Sequence, residues 1–286
     1  MRPRPATALA LCMALLPITI ASSQTRPPAP PADQLAAPGH PGWSVDARGG
    51  CWVWNSNPRA NATAAWSGAC SPQGPATGRG VLEWRYEENG ERKVARYEGE
   101  YRDGKLHGRG VYAYASGNRY EGDYRDGKFN GRGVYVFVNG NRYEGEFRDD
   151  KYDGRGALAF ASGNRYEGEF RDGKFNGRGV FTLASGARYE GEFRDGRSNG
   201  RGVLTFANGN RYEGDFRDDR FHGRGVFTWI DGSRYEGDLR DGKANGFGTK
   251  TSPNGETYTG TWTDGCLRQG DGWVTAGTSA DTCGPR

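Results

Sequence analysis

A Tyr-x-Gly triplet begins at Tyr97, Tyr120, Tyr143, Tyr166, Tyr189, Tyr212, Tyr235 and Tyr258, each 23 residues after the last with no insertion or deletion. Self-similarity at a fixed period means one supersecondary unit repeated and stacked on its neighbours, so no assignment of elements that ignores the period can hold. Seven full units and a final half-unit follow the plan. In the unit that starts at Tyr120 the turn pairs Asp126-Gly127 and Asn139-Gly140 bracket alternating aromatic and β-branched residues. That pattern predicts a β-hairpin and requires no helix. The second turn position is Gly in most units but Asp150 and Asp219 in two, as expected of a site with positive φ, which Gly adopts freely and Asp tolerates.

A two-residue type I′ loop at Asp126-Gly127 would place Tyr124 opposite Phe129, Gly122 opposite Gly131 and Tyr120 opposite Gly133 on one side of the sheet. On the other side it would pair Glu121 with Arg132, a ladder recurring as Glu98/Arg109, Glu144/Arg155, Glu167/Arg178, Glu190/Arg201 and Glu213/Arg224. A three-residue loop at Asn139-Gly140-Asn141 would set Phe137 opposite Tyr143, Tyr135 opposite Gly145 and Gly133 opposite Phe147. Rings would then lie across strand glycines that lack packing atoms of their own. The expected fold class is all-β: an elongated, single-layer antiparallel meander with an aromatic-and-glycine face and a charged face. At about 4.8 Å between strands it would span roughly 70 Å.

Composition supports a folded but unusual chain. Of 286 residues 48 are Gly, about 17% against roughly 7% in ordinary usage. Hydrophobic residues make up only 34%, yet 13% of the chain is aromatic, which disordered segments are not. The net charge of +4 is no nucleic-acid footprint, and the three histidines leave few parts for a metal centre or a His-dependent triad.

Residues 1–23 have the three-part layout of a secretory signal: Arg2 and Arg4, an apolar run from Ala6 to Ile20, and small residues Ala21, Ser22 and Ser23. The run is about 15 residues, broken by Pro17, short of the ~20 a spanning helix needs. Cys12 lies inside it and leaves with it. A Pro-rich linker over 24–47 follows, then an N-terminal cap with a degenerate repeat over 48–96, seven repeats over 97–257, and a half repeat with C-terminal cap over 258–286. The protein is therefore expected to be periplasmic, at the cell surface or secreted. Four cysteines remain, an even number that favours disulfides in an exported chain. Because the array would keep its two ends apart, the expected pairs are Cys51–Cys70 and Cys266–Cys283, each worth about 3 kcal/mol in the chain-entropy model. Asn61-Ala62-Thr63 forms an N-glycosylation sequon.

The unit Y-E-G-x-[FY]-R-D-G-K-x-x-G-x-G with its 23-residue period resembles the MORN (membrane occupation and recognition nexus) repeat over about residues 97–270, with a weaker unit at 66–96. The segments Cys51-Trp52-Val53-Trp54 and Trp66-x-Gly-x-Cys70 also look like the cap of exported bacterial proteins of this type. The resemblance implies an elongated hairpin array of the kind used as a scaffold, a homo-oligomerisation rod or a protein-docking surface, in some members linked to phospholipid headgroups. Where such arrays accompany enzymes, the activity belongs to another domain, and this sequence offers none, so the expectation is a non-enzymatic scaffold without cofactor or metal.

His107 and His222 take the position filled by Asn130, Asp153, Asn176, Asn199 and Asn245 in other units, as turn residues would. The recurrent carboxylates are expected to be surface ladders. Two arginine rows, Arg109 through Arg224 and Arg119 through Arg234, offer a phosphate-binding alternative. The aromatic face offers another: Tyr120, Tyr124, Tyr135, Tyr143, Phe147, Tyr166, Phe170, Tyr189, Phe193, Tyr212 and Phe216 as a candidate stacking surface for a glycan or a partner's peptide. A protein partner or a second copy of the chain is the leading expectation; a lipid headgroup or glycan is the alternative, and nucleic acid is not expected.

Overall fold

A computed structural model describes residues 42–48, 50–56, 62–70, 74–278 and 282–283. The expected signal segment, residues 24–41 of the expected linker and Asn61 of the sequon lie outside them. The described residues divide into two compact units, 42–161 and 162–283.

The first unit carries β1 (Trp43–Val45), β2 (Trp52–Trp54), β3 (Thr63–Trp66), β4 (Ala69–Cys70), β5 (Ala76–Glu88), β6 (Glu91–Arg102), β7 (Lys105–Ala113), β8 (Arg119–Arg125), β9 (Lys128–Val136), β10 (Arg142–Arg148) and β11 (Lys151–Ala159). From β5 to β11 each strand pairs antiparallel with the next. The second unit carries β12 (Arg165–Arg171), β13 (Lys174–Thr182), β14 (Arg188–Arg194), β15 (Arg197–Thr205), β16 (Arg211–Arg217), β17 (Arg220–Thr228), β18 (Arg234–Arg240), β19 (Lys243–Thr251), β20 (Thr257–Trp262), β21 (Cys266–Gln269) and β22 (Gly272–Thr275). There the meander runs from β12 to β20, and β21–β22 form a separate small hairpin. No helix occurs among these elements. Each repeat is one hairpin, as the period requires.

The tight turns are as expected: Asp126 and Gly127 have φ of 52° and 83°, and Asp150 and Asp219 sit at 69° and 66°. Tyr124 faces Phe129. Beyond that pair the register departs from expectation by two residues. Gly122 faces Gly133 rather than Gly131, Tyr120 faces Tyr135 rather than Gly133, and Glu121 faces Val134 rather than Arg132. The cause is a β-bulge of two extra residues on the second strand of each hairpin. Where Gly168 opposes Gly179 and Glu169 opposes Asn176, Gly177 and Arg178 bulge out. Gly177 takes a φ of 63° there, which glycine adopts at little cost.

The Glu/Arg ladder is corrected throughout, because Glu98, Glu144, Glu167, Glu190 and Glu213 face Val111, Ala157, Val180, Val203 and Val226 in their hairpins. The return loop also differs, spanning five residues rather than three. Phe137 N–H donates to the Asn141 carbonyl at 2.9 Å and Gly140 N–H to the Phe137 carbonyl at 3.0 Å. Tyr135 then faces Tyr143, Gly133 faces Gly145 and Gly131 faces Phe147, in place of the expected Phe137/Tyr143, Tyr135/Gly145 and Gly133/Phe147. Both slips are by two, so every side chain keeps its face.

The register brings two glycines face to face in every hairpin, and a tyrosine ring covers them. A Cβ built on Gly179 would lie 2.5 Å from Tyr166 Oη, and one on Gly168 would lie 2.6 Å from it. The phenol donates to the Glu169 carbonyl at 2.9 Å, beside the bulge. The same bond recurs from Tyr97, Tyr120, Tyr143, Tyr189, Tyr212 and Tyr235 to the carbonyl three residues on. On the other side of the Tyr166 ring Phe175 stacks at 3.8 Å and 14°, while Phe170 and Phe193 meet it edge-on at 5.0 and 5.1 Å. Trp66 repeats the device in the degenerate first unit. Its ring covers Gly68 and Gly80, and its Nε1–H donates to the Ala69 carbonyl, again three residues on, at 3.1 Å. The device stops at Tyr258, whose hydroxyl turns to Glu256, and Leu267 covers Gly260 instead.

Disulfides join Cys51 to Cys70 and Cys266 to Cys283, the expected pairs.

Replacing Gly179 by Ala puts a methyl into the Tyr166 ring and is expected to destabilise the protein by about 1–3 kcal/mol, the cost of overpacking. Gly272→Ala, where the nearest atom to a Cβ is 3.8 Å away, should change stability by less than about 0.5 kcal/mol; thermal or denaturant unfolding of both variants checks the pair. Alkali offers a second test. Burial raises the ring phenols above their ordinary value, and at Tyr235, with the Asp238 charge nearby, to about 12. With the unfolded phenols at about 10, this contribution to stability is complete below that pH and is lost as pH climbs through the folded values. Most tyrosinate absorbance should therefore appear together with unfolding, not ahead of it.

Candidate functional site

The eleven rings named as a stacking surface are all buried, at 0–8% exposure. Their flat faces lie against glycines and against one another: Tyr120 on Phe129, Tyr143 on Tyr152 and Tyr212 on Phe221, at 3.7–3.9 Å between centroids. Of the two readings of this face, rings spent on packing or rings left open as a stacking surface, these residues follow the first. A single-layer sheet closes this face by packing each ring flat onto bare backbone.

The opposite face carries the charges. In the second unit it has a row in which half-buried Val180, Val203 and Val226 alternate across strands with Glu190, Glu213 and Glu236. Each of these glutamates binds the arginine two residues earlier on its own strand: Arg188–Glu190 at 2.7 Å, Arg211–Glu213 at 2.6 Å and Arg234–Glu236 at 2.5 Å. Arg119–Glu121 and Arg142–Glu144 do the same in the first unit, both at 2.7 Å. The arginine row from Arg119 to Arg234 is thus neutralised along the strands. These are exposed pairs, worth about 0–1 kcal/mol each, and their effect is to fix the side chains in place.

The second row, Arg178, Arg201 and Arg224, flanks the valines on the other side. Asp215 lies 3.7 Å from Arg201, and Asp238 lies 4.0 Å from Arg224. The acids of this row have another task that sequence reasoning missed. Each accepts the backbone N–H just after the bulge glycine, Arg178 N–H to Glu169 at 3.3 Å, Arg224 N–H to Asp215 at 3.3 Å and Phe247 N–H to Asp238 at 3.0 Å. The signal was present as an acidic residue directly after every Tyr-x-Gly from 97 to 237.

Together the rows line an open groove of about 620 Å³ bounded by Arg178, Val180, Glu190, Arg201, Val203, Glu213 and Arg224. Its floor is apolar at the valines and bare at Gly179, Gly191, Gly202 and Gly214. Its rims present guanidinium and carboxylate groups at fixed intervals. That arrangement can hold an extended chain by contact and by charge, and it assembles no acid, base and nucleophile around a common point.

His107 and His222 stand opposite Glu100 and Asp215 in the ladder, on the strand just before the bulge glycine and not in a turn. Among the described residues no group of three or more His, Cys, Asp or Glu side chains is placed to hold a metal ion. The turns are tied to one another by contacts equally hidden from sequence. The side-chain carbonyls of Asn118, Asn141, Asn164 and Asn210 each accept the N–H of the residue 20 positions on, all at 2.9 Å. At the other sheet edge Asp150 and Asp219 accept from Phe129 and Ser198 N–H at 2.8 and 2.7 Å. Partial burial raises the Asp219 carboxyl despite the two bonds from Ser198.

No curated protein matches. Among solved structures, the TCP domain of Drosophila melanogaster SAS-4 (dCPAP), in complex with a proline-rich motif of Ana2 (dSTIL), is similar at 15% identity over 54% of this chain and 84% of that one, with a TM-score of 0.35. The TCP10 domain of Danio rerio CPAP, in complex with a STIL peptide, is similar at 16% over 64% and 99%, with a TM-score of 0.22. A streptogramin B lyase is similar at 10% over 71% and 88%, with a TM-score of 0.16. At these TM-scores none of the three carries weight for function. A family model described as the MORN repeat matches seven times in succession, at 97–119, 120–142, 143–165, 166–188, 189–211, 212–234 and 235–257. These matches cover more than half of the sequence and keep the period without a break: the chain belongs to the MORN-repeat family.

Proposed function

We propose that this protein is a non-enzymatic, exported scaffold that holds a protein partner, or a second copy of itself, in the groove on the charged face of residues 162–283. One observation carries the reading: the rings named above are buried, and on the charged face of the second unit's sheet the half-buried Val180–Val203–Val226 row forms an apolar strip fixed between Arg and Glu rims. An extended peptide with alternating apolar and charged side chains matches that surface, the apolar ones contacting the valines and the charged ones the rims. Export rests on the signal-like segment at 1–23 and is consistent with two disulfides, which persist in oxidising compartments. The alternative of a glycan or phospholipid-headgroup module used open rings or the two arginine rows. The rings are buried, and the Arg188–Arg234 stretch is paired with glutamates, so of those features that reading keeps the Arg178–Arg224 row.

Crosslinking and pull-down with the mature protein from its native compartment should recover a specific protein, or the chain itself. Val180→Asp with Val203→Asp should lower recovery at least about tenfold, roughly 1.4 kcal/mol, without lowering the melting temperature beyond the few degrees expected of surface changes. Unchanged recovery by the double variant, or vesicle or glycan binding with no protein recovered, contradicts the reading.

A further inference from the structure

The hairpin tips of the second unit carry a charge arrangement that folding does not explain. In each tip the residues flanking the tight turn are Cα partners on the charged face, and both are cations: Arg171 opposite Lys174, Arg194 opposite Arg197, Arg217 opposite Arg220 and Arg240 opposite Lys243. Like charges directly opposite in an antiparallel pair are destabilising, yet the pattern recurs without exception. One cation of three tips reaches the turn aspartate of the next: Lys174–Asp195 at 3.4 Å, Arg197–Asp218 at 3.7 Å and Arg220–Asp241 at 3.7 Å. The other cation is an arginine in every case. Arg171, Arg194, Arg217 and Arg240 are exposed, and among the described residues none makes a side-chain hydrogen bond or ion pair. The arginines at the far end of the same strands, Arg188, Arg211 and Arg234, are each held by a glutamate. In the tip row none of the four has such a partner.

These four arginines stand on β12, β14, β16 and β18, one on every second strand, hence at about 10 Å intervals. Around them the tips hold eight cations against five acids, a net of +3. The carboxylate of Asp219 is turned to the Ser198 N–H and Oγ at 2.7 and 3.0 Å. The geometry points to a binding row for a linear acidic polysaccharide, one carboxylate or sulfate per disaccharide meeting one spare arginine per repeat. The interval is close to the length of an extended disaccharide. The remaining turn aspartates select against denser polyanions, because a chain with a charge every few ångströms would press anions onto Asp195, Asp218 and Asp241. A membrane would meet only this single file of cations, with aspartates between them. None of the four tips lines the groove proposed for a protein partner, so the two surfaces stand or fall separately.

The test uses the full mature chain and immobilised hyaluronan fragments as the probe, with dextran, long-chain polyphosphate and phosphatidylglycerol vesicles alongside. Hyaluronan should bind at low salt, lose affinity as salt rises, and exceed all three comparators. Arg194→Ser, Arg217→Ser and Arg240→Ser together should weaken binding at least about tenfold, as three exposed charge contacts would, whereas Arg194→Lys, Arg217→Lys and Arg240→Lys should retain most of it. The charge-matched triple Arg188→Ser, Arg211→Ser and Arg234→Ser, which removes arginines already paired with glutamates, should cost much less. Equal losses in the two serine triples, hyaluronan binding no better than dextran, or preference for polyphosphate or vesicles overturns the proposal. Because the tip substitutions leave the groove lining untouched, loss of a protein partner in the valine variant and loss of hyaluronan in the tip-arginine triple report on different surfaces.

Discussion

A tyrosine ring lying flat on two opposed glycines sets the terms for the rest of this architecture. A sheet with one layer has no second sheet or helix to bury its apolar side, and a small side chain at Gly168 or Gly179 would hold the Tyr166 ring away from the backbone. With bare Cα atoms there, ring and sheet meet at van der Waals distance, and the next hairpin's rings close over the remaining edges. The hydroxyl reaches past the glycines to a carbonyl beside the bulge, so the phenol is satisfied at a point where the ladder is interrupted. This explains two glycines of each unit and the tyrosine at its head by one contact. Trp66 shows the contact is general to the geometry and not to the phenol, since an indole with its N–H does the same over Gly68 and Gly80.

A sheet whose tyrosine rings are closed onto their own backbone still offers its charged face and its turns. Those two regions are built differently. On the face, arginine and glutamate neutralise each other along each strand and leave a valine strip between rims. At the tips of the second unit, cations oppose cations and one arginine per hairpin is left uncompensated. The opposite loops are tied by asparagine carbonyls and include an aliphatic residue, Ile230, that is 75% exposed. A repeat protein built this way presents the same chemistry at each step, so affinity for an extended partner can accumulate along the array.

The sequence disclosed the fold class, the hairpin in each 23-mer, the positive-φ turn at Asp150 and Asp219, the two faces and both disulfides, because each follows from spacing or backbone conformation. The register did not follow. It depends on a two-residue bulge at Gly177-Arg178, and one glycine among many gives no sign of which will leave the ladder; the acid after each Tyr-x-Gly was the missing clue, as it binds the bulge N–H. The Asn-Gly loop likewise closes through the Phe137 and Asn141 backbones, so its length is invisible to turn-residue rules. Sequence left the aromatic face undecided between packing and binding, since exposure depends on the stacking of Phe175 on Tyr166 across the register that the bulge creates.

Whether the glycine pair exists to admit the ring is read out by a double-mutant cycle. Gly179→Ala and Tyr166→Leu are measured singly and together by denaturant unfolding. If the ring needs the bare Cα, the alanine's cost falls sharply once the ring is gone, with a coupling of at least about 1 kcal/mol, within the range seen for residues in contact. Additive costs, with Gly179→Ala as damaging beneath leucine as beneath tyrosine, would show that the glycine serves the backbone alone and would contradict the account.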